Sequence, residues 1–139
     1  MAWVANAKFI HGVAGVILDK RGRVLLLKHR FWKQQLWGLP GGHARHNETP
    51  GATLRRELRE ETGLEVRATK LLRVTTNMGP LTQFILLAEC DGEPEVKSAE
   101  IIEAGFFDWE KLPENIVPTH RAFLEQMMKK REWTGLDPE

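Results

Sequence analysis

The sequence predicts an α/β protein, because stretches of strand length and composition alternate with two segments of helical periodicity. The first two stretches, residues 9–18 and 24–28, are apolar and β-branched, and the Asp-Lys-Arg-Gly run at 19–22 between them predicts a hairpin. One helical segment follows this hairpin and the other comes last, which indicates an α/β sandwich. With 139 residues, the chain is expected to form a single domain over residues 1–139 that buries a core without disulfides.

The helices and the remaining strands follow from local signals. Thr49 and Pro50 predict a helix start, because a threonine side chain caps free N–H groups and proline fits the first turn. Gly63 predicts the helix end, since glycine readily adopts the left-handed conformation found there. The predicted elements after the hairpin are a loop at 31–47, a helix at 50–62, strands at 65–75 and 82–90 joined by a turn at 77–80, a loop or edge strand at 91–99, a strand at 104–109 and a helix from Thr119 to near Trp133.

Composition and charge argue against several classes of function. Twenty Lys and Arg residues against 19 Asp and Glu leave a net charge of +1, so no overall attraction to nucleic acid is expected. No apolar segment reaches membrane-spanning length and residues 1–8 lack the apolar stretch of an export signal, so we expect a cytoplasmic protein without a membrane partner. Cys90 is the single cysteine, which predicts neither an intrachain disulfide nor a zinc site.

A cluster of carboxylates near the end of the first helix carries the functional signal. Glu57, Glu60 and Glu61 project from one face within one turn, next to a helix C-terminus whose dipole is already negative. Each like-charge pair at this spacing costs about 0.2–0.5 kcal/mol, so the arrangement is unfavourable by itself. A bound divalent cation would make it favourable. The alternative is a solvated helix face whose glutamates pair with the neighbouring arginines.

A glycine loop precedes this helix. In the run Leu-Trp-Gly-Leu-Pro-Gly-Gly at residues 36–42, Gly41 and Gly42 allow the backbone to approach a ligand closely, because they have no Cβ. A glycine loop that leads into a helix bearing carboxylates suits a metal–phosphate substrate.

Together these residues resemble the signature box of the Nudix hydrolase (MutT-like) family. Gly42, Glu48 and the run Arg-Glu-Leu-Arg-Glu-Glu-Thr-Gly-Leu at 56–64 match every fixed position of the box, which spans residues 42–64. The resemblance implies the Nudix fold, an α/β/α sandwich with a mixed central sheet. It also implies hydrolysis of a pyrophosphate bond in a nucleoside diphosphate derivative, such as a nucleoside triphosphate or a nucleotide sugar. The implied cofactor is Mg²⁺ or Mn²⁺, which neutralises phosphate charge and activates water.

The resemblance further implies a role for each residue of the box. Glu57, Glu60 and Glu61 would bind the metal together with the backbone carbonyl of Gly41. Arg56 would hold a carboxylate, that of Glu57 or of Glu48, in its metal-facing orientation through a charge-assisted bond.

The sequence leaves more than one candidate for the general base and for the substrate contacts. The base is either a glutamate of the box, Glu57 or Glu60, or a glutamate of the downstream loop, where Glu100 and Glu103 are the candidates. Three residues near the glycine loop are candidates for substrate binding. Lys28 and Arg30 could touch a phosphate or be ordinary strand-end charges, and Trp32 could stack on a nucleobase or simply pack.

Other functions on the same fold stay open at this level. They are a catalytically inactive Nudix-like module that senses a nucleotide, an isomerase, and a pyrophosphohydrolase of RNA 5′ ends. The complete box favours an enzyme. The expected partner is a small nucleotide-derived substrate rather than a nucleic acid, and the sequence leaves open whether the protein forms a homodimer.

Overall fold

The computed structural model of the protein describes residues 10–130, apart from the side chains of Ala68, Asn77 and Met78. Two helices and a set of strands make up the described part. They are β1 (Ile10–Leu18), β2 (Val24–His29), a short 3-10 turn (Lys33–Gln35), β3 (Trp37–Gly38), β4 (Gly41–His43), α1 (Pro50–Thr62), β5 (Val66–Met78), β6 (Leu81–Cys90), β7 (Ile101–Phe107) and α2 (Pro118–Lys130).

The strands within residues 10–130 form one mixed sheet. Its main order is β3-β2-β1-β6-β5, while β4 pairs with β1 and β7 pairs with β2. Strands β1 and β6 run parallel, and the other pairs are antiparallel. At the end of β1, Leu18 pairs with Val24 of β2, whereas residues 12–14 near the start of β1 pair with residues 41–43 of β4. The two strands of the first hairpin therefore diverge, and the glycine loop enters the sheet beside β1.

The sheet lies between the two helices. Its side chains alternate between the two faces, so each face presents apolar residues that one helix covers. On one face, Leu54 and Leu58 of α1 pack with Val13, Ile17 and other odd-numbered residues of β1 and β2. On the other face, Phe123, Leu124 and Met127 of α2 pack with even-numbered residues of the same strands. These strand residues include Ala14, Val16 and Leu26. The predicted α/β/α sandwich with a mixed sheet is therefore confirmed.

Several predicted boundaries were wrong in an informative way. The predicted loop at 31–47 contains β3 and β4, strands of two and three residues that are too short to show periodicity in a sequence. The strand predicted at 104–109 begins earlier, at Ile101, and ends at Phe107. The last helix begins at Pro118, so Thr119 lies inside its first turn instead of capping it. Its predicted end near Trp133 lies outside the described residues. Neither described helix is long and apolar enough to cross a membrane.

Candidate active site

Helix α1 is capped at both ends by the residues that the sequence predicted, Thr49 and Gly63. The side chain of Thr49 accepts a hydrogen bond from the Ala52 N–H at 3.2 Å. Gly63 adopts a left-handed conformation, with φ of 75°, and its N–H donates to the Arg59 carbonyl at 3.0 Å. The register of the last turn is thereby defined, and the carboxylates of this turn project toward the glycine loop.

A cavity of about 680 Å³ lies between α1, the glycine loop, the start of β1 and the first turn of α2. Most of the residues predicted to act on substrate line it. These are Gly41, Arg56, Glu57, Glu60, Glu61, Glu100 and Trp32.

The two glycines of the loop are required by close packing. Strand β4 pairs with β1 through Val13 and Gly42 and through Ala14 and Gly41. A Cβ on Gly41 would collide with the Val13 carbonyl, and a Cβ on Gly42 would lie 2.5 Å from Oε1 of Glu57. Gly41 therefore lets β4 lie directly against the backbone of β1, and Gly42 lets the loop lie directly against the carboxylate that the helix presents.

Arg56 orients the carboxylates of the site. Its guanidinium donates to both oxygens of Glu48, at 2.7 and 2.9 Å, to Oε1 of Glu57 at 2.9 Å, and to the His43 carbonyl at 3.0 Å. The hydrogen bond from Arg56 and a second from the Arg45 N–H lower the pKa of Glu48 to about 2. The predicted carboxylate-holding contact of Arg56 is thus present in the structure, and it reaches Glu48 and Glu57 together.

Glu61 is the most unusual group in the cavity. Its side chain is 4% exposed, and its Oε2 atom is enclosed without a hydrogen-bond partner among the described residues. Burial raises the pKa of Glu61 to about 9, assisted by its hydrogen bond to Glu57 and by the negative charges of Glu57, Glu100 and Glu60. A buried oxygen without a partner is costly. The site therefore gains from a ligand that supplies positive charge beside Glu61.

The donor set fits a hard divalent cation. Carboxylate and carbonyl oxygens are the ligands that Mg²⁺ and Mn²⁺ prefer, and Glu57, Glu60, Glu61 and Gly41 all line the cavity. Glu60 also contacts Arg45 at 3.6 Å and Arg56 at 3.5 Å. In the described part of the chain, no three His, Cys, Asp or Glu side chains are grouped as a complete ligand set.

The structure distinguishes the two candidate bases predicted in the downstream loop, because Glu100 lies in the loop and Glu103 lies in β7. Glu100 lines the cavity, whereas Glu103 forms an ion pair with Lys28, at 3.7 Å, and does not line it. Arg30 anchors the loop that carries Glu100: its N–H donates to the Glu100 carbonyl at 2.8 Å, and its Nε donates to the Ala99 carbonyl at 2.9 Å.

Two of the three residues predicted to bind substrate therefore have other partners. The Lys28 ammonium lies over the Trp37 ring, 5.2 Å from its centroid, as well as beside Glu103. Arg30 holds the Glu100 loop, and neither Lys28 nor Arg30 lines the cavity. Their contact with phosphate stays a prediction that the geometry does not favour, while Trp32 does line the cavity.

Sequence reasoning missed two histidines of the cavity, His29 and His120. His29 stacks on Trp32, with ring centroids 3.9 Å apart, and Nδ1 of His120 accepts a hydrogen bond from the Leu39 N–H at 3.0 Å. His120 and Leu39 are 81 residues apart, so no local pattern could link them. The only signal in the sequence was a histidine directly beside Arg30, a residue already singled out.

A mixed sheet between two helices, with a glycine-flanked carboxylate helix at one cavity, defines the class of Nudix hydrolases. The NUDIX domain model matches residues 8–127, and the chain belongs to this family. The 8-oxo-dGTP diphosphatase of Proteus vulgaris is 35% identical over 94 residues, which cover 63% of this chain and 84% of that protein. The crystal structure of the MutT NUDIX hydrolase from Burkholderia pseudomallei superimposes with a TM-score of 0.72 at 30% identity, over 84% of this chain and 95% of that one.

The predicted resemblance is therefore confirmed, and the protein is an enzyme of the MutT-like Nudix pyrophosphohydrolase class. Not every relative is matched over its length. Nucleoside diphosphate-linked moiety X motif 6 of Xenopus laevis is 41% identical over 64 residues, which are 45% of this chain and 30% of that protein.

Proposed function

We propose that this protein hydrolyses the pyrophosphate bond of a nucleoside diphosphate derivative, with Mg²⁺ or Mn²⁺, in the cavity between α1 and the glycine loop. The observation that carries the proposal is the buried carboxyl of Glu61, which meets Glu57 in a cavity of about 680 Å³. A buried pair of carboxyl groups is unfavourable unless a proton or a cation lies between them. The 8-oxo-dGTP diphosphatase among the relatives supports a nucleotide substrate.

The metal would be held by Glu57, Glu60 and Glu61 together with the Gly41 carbonyl. When bound, a divalent cation neutralises the charge of the pyrophosphate and lowers the pKa of water. The chain's own contribution begins with Arg56, which keeps the Glu57 carboxylate turned toward the cavity through the 2.9 Å hydrogen bond. Because Arg56 is itself held by both oxygens of Glu48, it cannot turn away without breaking a bidentate pair.

Glu100 is the general base of the proposed reaction. It lines the cavity on a loop that Arg30 anchors through two hydrogen bonds. A carboxylate there can accept the proton of the attacking water while the box glutamates are occupied with the cation. If Glu100 did not serve, Glu57 of the box would be the next candidate.

The experiment is a screen of nucleoside triphosphates, nucleotide sugars and dinucleoside polyphosphates with metal-free protein, before and after Mg²⁺ or Mn²⁺ is added. We expect hydrolysis only with the cation, and ¹⁸O-labelled water identifies the phosphorus that is attacked. Full turnover in chelator would contradict the metal requirement. Tight binding of a nucleotide without cleavage of any compound would contradict the hydrolase and would indicate the sensing module instead.

A further inference from the structure

Three aromatic side chains cluster in one part of the active-site cavity, beside the carboxylates. His29, Trp32 and His120 line this part, which we call the aromatic end. The His29 and Trp32 rings are stacked at 3.9 Å with an interplanar angle of 16°, and the His120 ring meets Trp32 edge-on at 6.2 Å. The same cavity thus combines a charged end, suited to phosphate and metal, with an end suited to a planar ring.

The fold brings these rings together from three separate elements. The register of β2 against β7 shifts between Lys28 and His29, an irregularity that redirects a side chain near the end of a strand. Gly38 leaves space for the rings of Trp32 and His120, because a Cβ at this position would lie 2.8 Å from Cη2 of Trp32 and 2.9 Å from Nδ1 of His120. The aromatic end is therefore closely packed.

The hydrogen bond from Leu39 determines the tautomer of His120. Since Nδ1 accepts the Leu39 N–H at 3.0 Å, the proton of the neutral imidazole is on Nε2. Burial, with a smaller effect of His29, lowers the pKa of His120 to about 4, so the ring stays neutral near pH 7. Nε2 of His120 has no hydrogen-bond partner among the described residues. It is not among the enclosed atoms that lack a partner, so it is open to the cavity or to solvent. It is an accessible N–H donor with a defined position.

We infer that the aromatic end binds the nucleobase of the substrate, and that Nε2–H of His120 donates to a ring carbonyl oxygen of that base. This inference rests on the proposed function, since it assumes that the phosphates lie at the carboxylate end. The rings of Trp32 and His29 supply apolar faces against which a base packs at either end of the stack. His120 supplies a hydrogen-bond donor with a predetermined direction, so it selects among bases.

The preference for a carbonyl follows from the fixed donor. An N–H group opposite the carbonyl of guanine, hypoxanthine or uracil makes a hydrogen bond. Opposite the exocyclic amino group of adenine or cytosine, two donors face each other and one stays unpaired. A site built to donate discriminates strongly against a partner that cannot accept, because a buried polar group is then left without a partner.

The test compares the binding of three ligands to the full chain with Mg²⁺, by calorimetry: guanosine and adenosine 5′-(α,β-methylene)diphosphate, which resist cleavage, and methylenediphosphonate, which has no base. His120→Asn places an acceptor near the Nδ1 position but removes the Nε2 donor, whereas His120→Gln carries a donor near the Nε2 position. His46→Asn is the matched control, since His46 does not line this cavity. Wild type should bind the guanosine ligand most tightly.

We expect His120→Asn to weaken binding of the guanosine ligand about tenfold and to leave methylenediphosphonate within about twofold of wild type. His120→Gln should retain most of the guanosine affinity. An equal loss for all three ligands would overturn the inference, because His120 would then only support the glycine loop through Leu39. Equal wild-type affinity for the adenosine and guanosine ligands would overturn the carbonyl preference. Failure of methylenediphosphonate to bind wild type would instead count against the proposed function.

Discussion

The guanidinium of Arg56 donates two hydrogen bonds to the carboxylate of Glu48, at 2.7 and 2.9 Å, across eight positions of the sequence. The same guanidinium donates to Glu57 at 2.9 Å, so Glu48 determines the orientation of a cavity carboxylate that it does not itself touch. Glu48 is further held by the Thr53 hydroxyl at 2.9 Å and by the Arg45 N–H at 2.9 Å. The loop before α1 and the middle of α1 are thereby joined into one unit.

Arg56→Lys should therefore damage activity more than stability. A lysine keeps the positive charge but cannot donate to Glu48 and Glu57 together, because it lacks the planar fork of donors. We expect a loss of about 10–100-fold in activity and a higher Mg²⁺ concentration for half-maximal activity, as for other residues that orient metal ligands. Steady-state kinetics over a Mg²⁺ titration measure both. Arg55→Lys, an exposed neighbour on the same helix, is the control and should match wild type.

Glu61→Gln should stabilise the metal-free protein, and the gain should grow with pH. The pKa of Glu61 is raised from 4.5 to about 9, so the folded state binds a proton that the unfolded state has released between these values. The free energy of unfolding therefore falls as pH rises through this window, and a neutral glutamine removes that loss. Denaturant unfolding in EDTA at pH 5 and pH 8 measures the difference. A strong destabilisation at both pH values would mean that Glu61 has a structural role.

Glu48→Gln should have the opposite pH signature. The pKa of Glu48 falls from 4.5 to about 2 on folding, so its contribution to stability is present above pH 4.5 and is lost as pH falls toward 2. In the variant, the free energy of unfolding should change less than in wild type between pH 5 and pH 3. Equal acid sensitivity of the two proteins would show that the pair with Arg56 does not stabilise the fold.

Glu100→Gln and Glu103→Gln should distinguish the loop glutamate Glu100 from Glu103, which lies in β7. Only Glu100 lines the cavity, so we expect its variant to lose about 10²–10⁴-fold in kcat, with an unchanged Mg²⁺ requirement. Glu103→Gln should keep near-normal kcat, since Glu103 is paired with Lys28 on the neighbouring strand. Near-normal kcat in both variants would move the base into the box, with Glu57 as the first candidate.

Arg30→Ala tests how the Glu100 loop is positioned. The guanidinium of Arg30 holds the Ala99 carbonyl at 2.9 Å, so its removal should lower kcat through a displaced Glu100. The same change in a Glu100→Gln background should then have little further effect, because the two residues act on one step. Independent, additive losses would instead support the direct phosphate contact that the sequence suggested for Arg30.

The local parts of the site could be predicted from the sequence because their geometry is set by neighbours along the chain. Thr49, Pro50 and Gly63 define both ends of α1, and the helical period then places Glu57, Glu60 and Glu61 on one face. The spacing from Gly42 through Glu48 to the run at 56–64 matched the Nudix box, so it also identified the family. Helix geometry depends on bonds between residues a few positions apart, so a sequence pattern suffices.

Contacts between distant segments were decided only by the tertiary structure. Which loop glutamate lines the cavity depends on the pairing of β2 with β7 and on Arg30, 69 residues away from Ala99. The aromatic end depends on the first turn of α2 meeting Leu39, and no periodicity marks that meeting in the sequence. Strand register, a register shift at His29 and the closeness of Gly38 to two rings arise from packing across the whole sheet. Local propensity determines the helix and its carboxylates, whereas long-range packing determines what faces them.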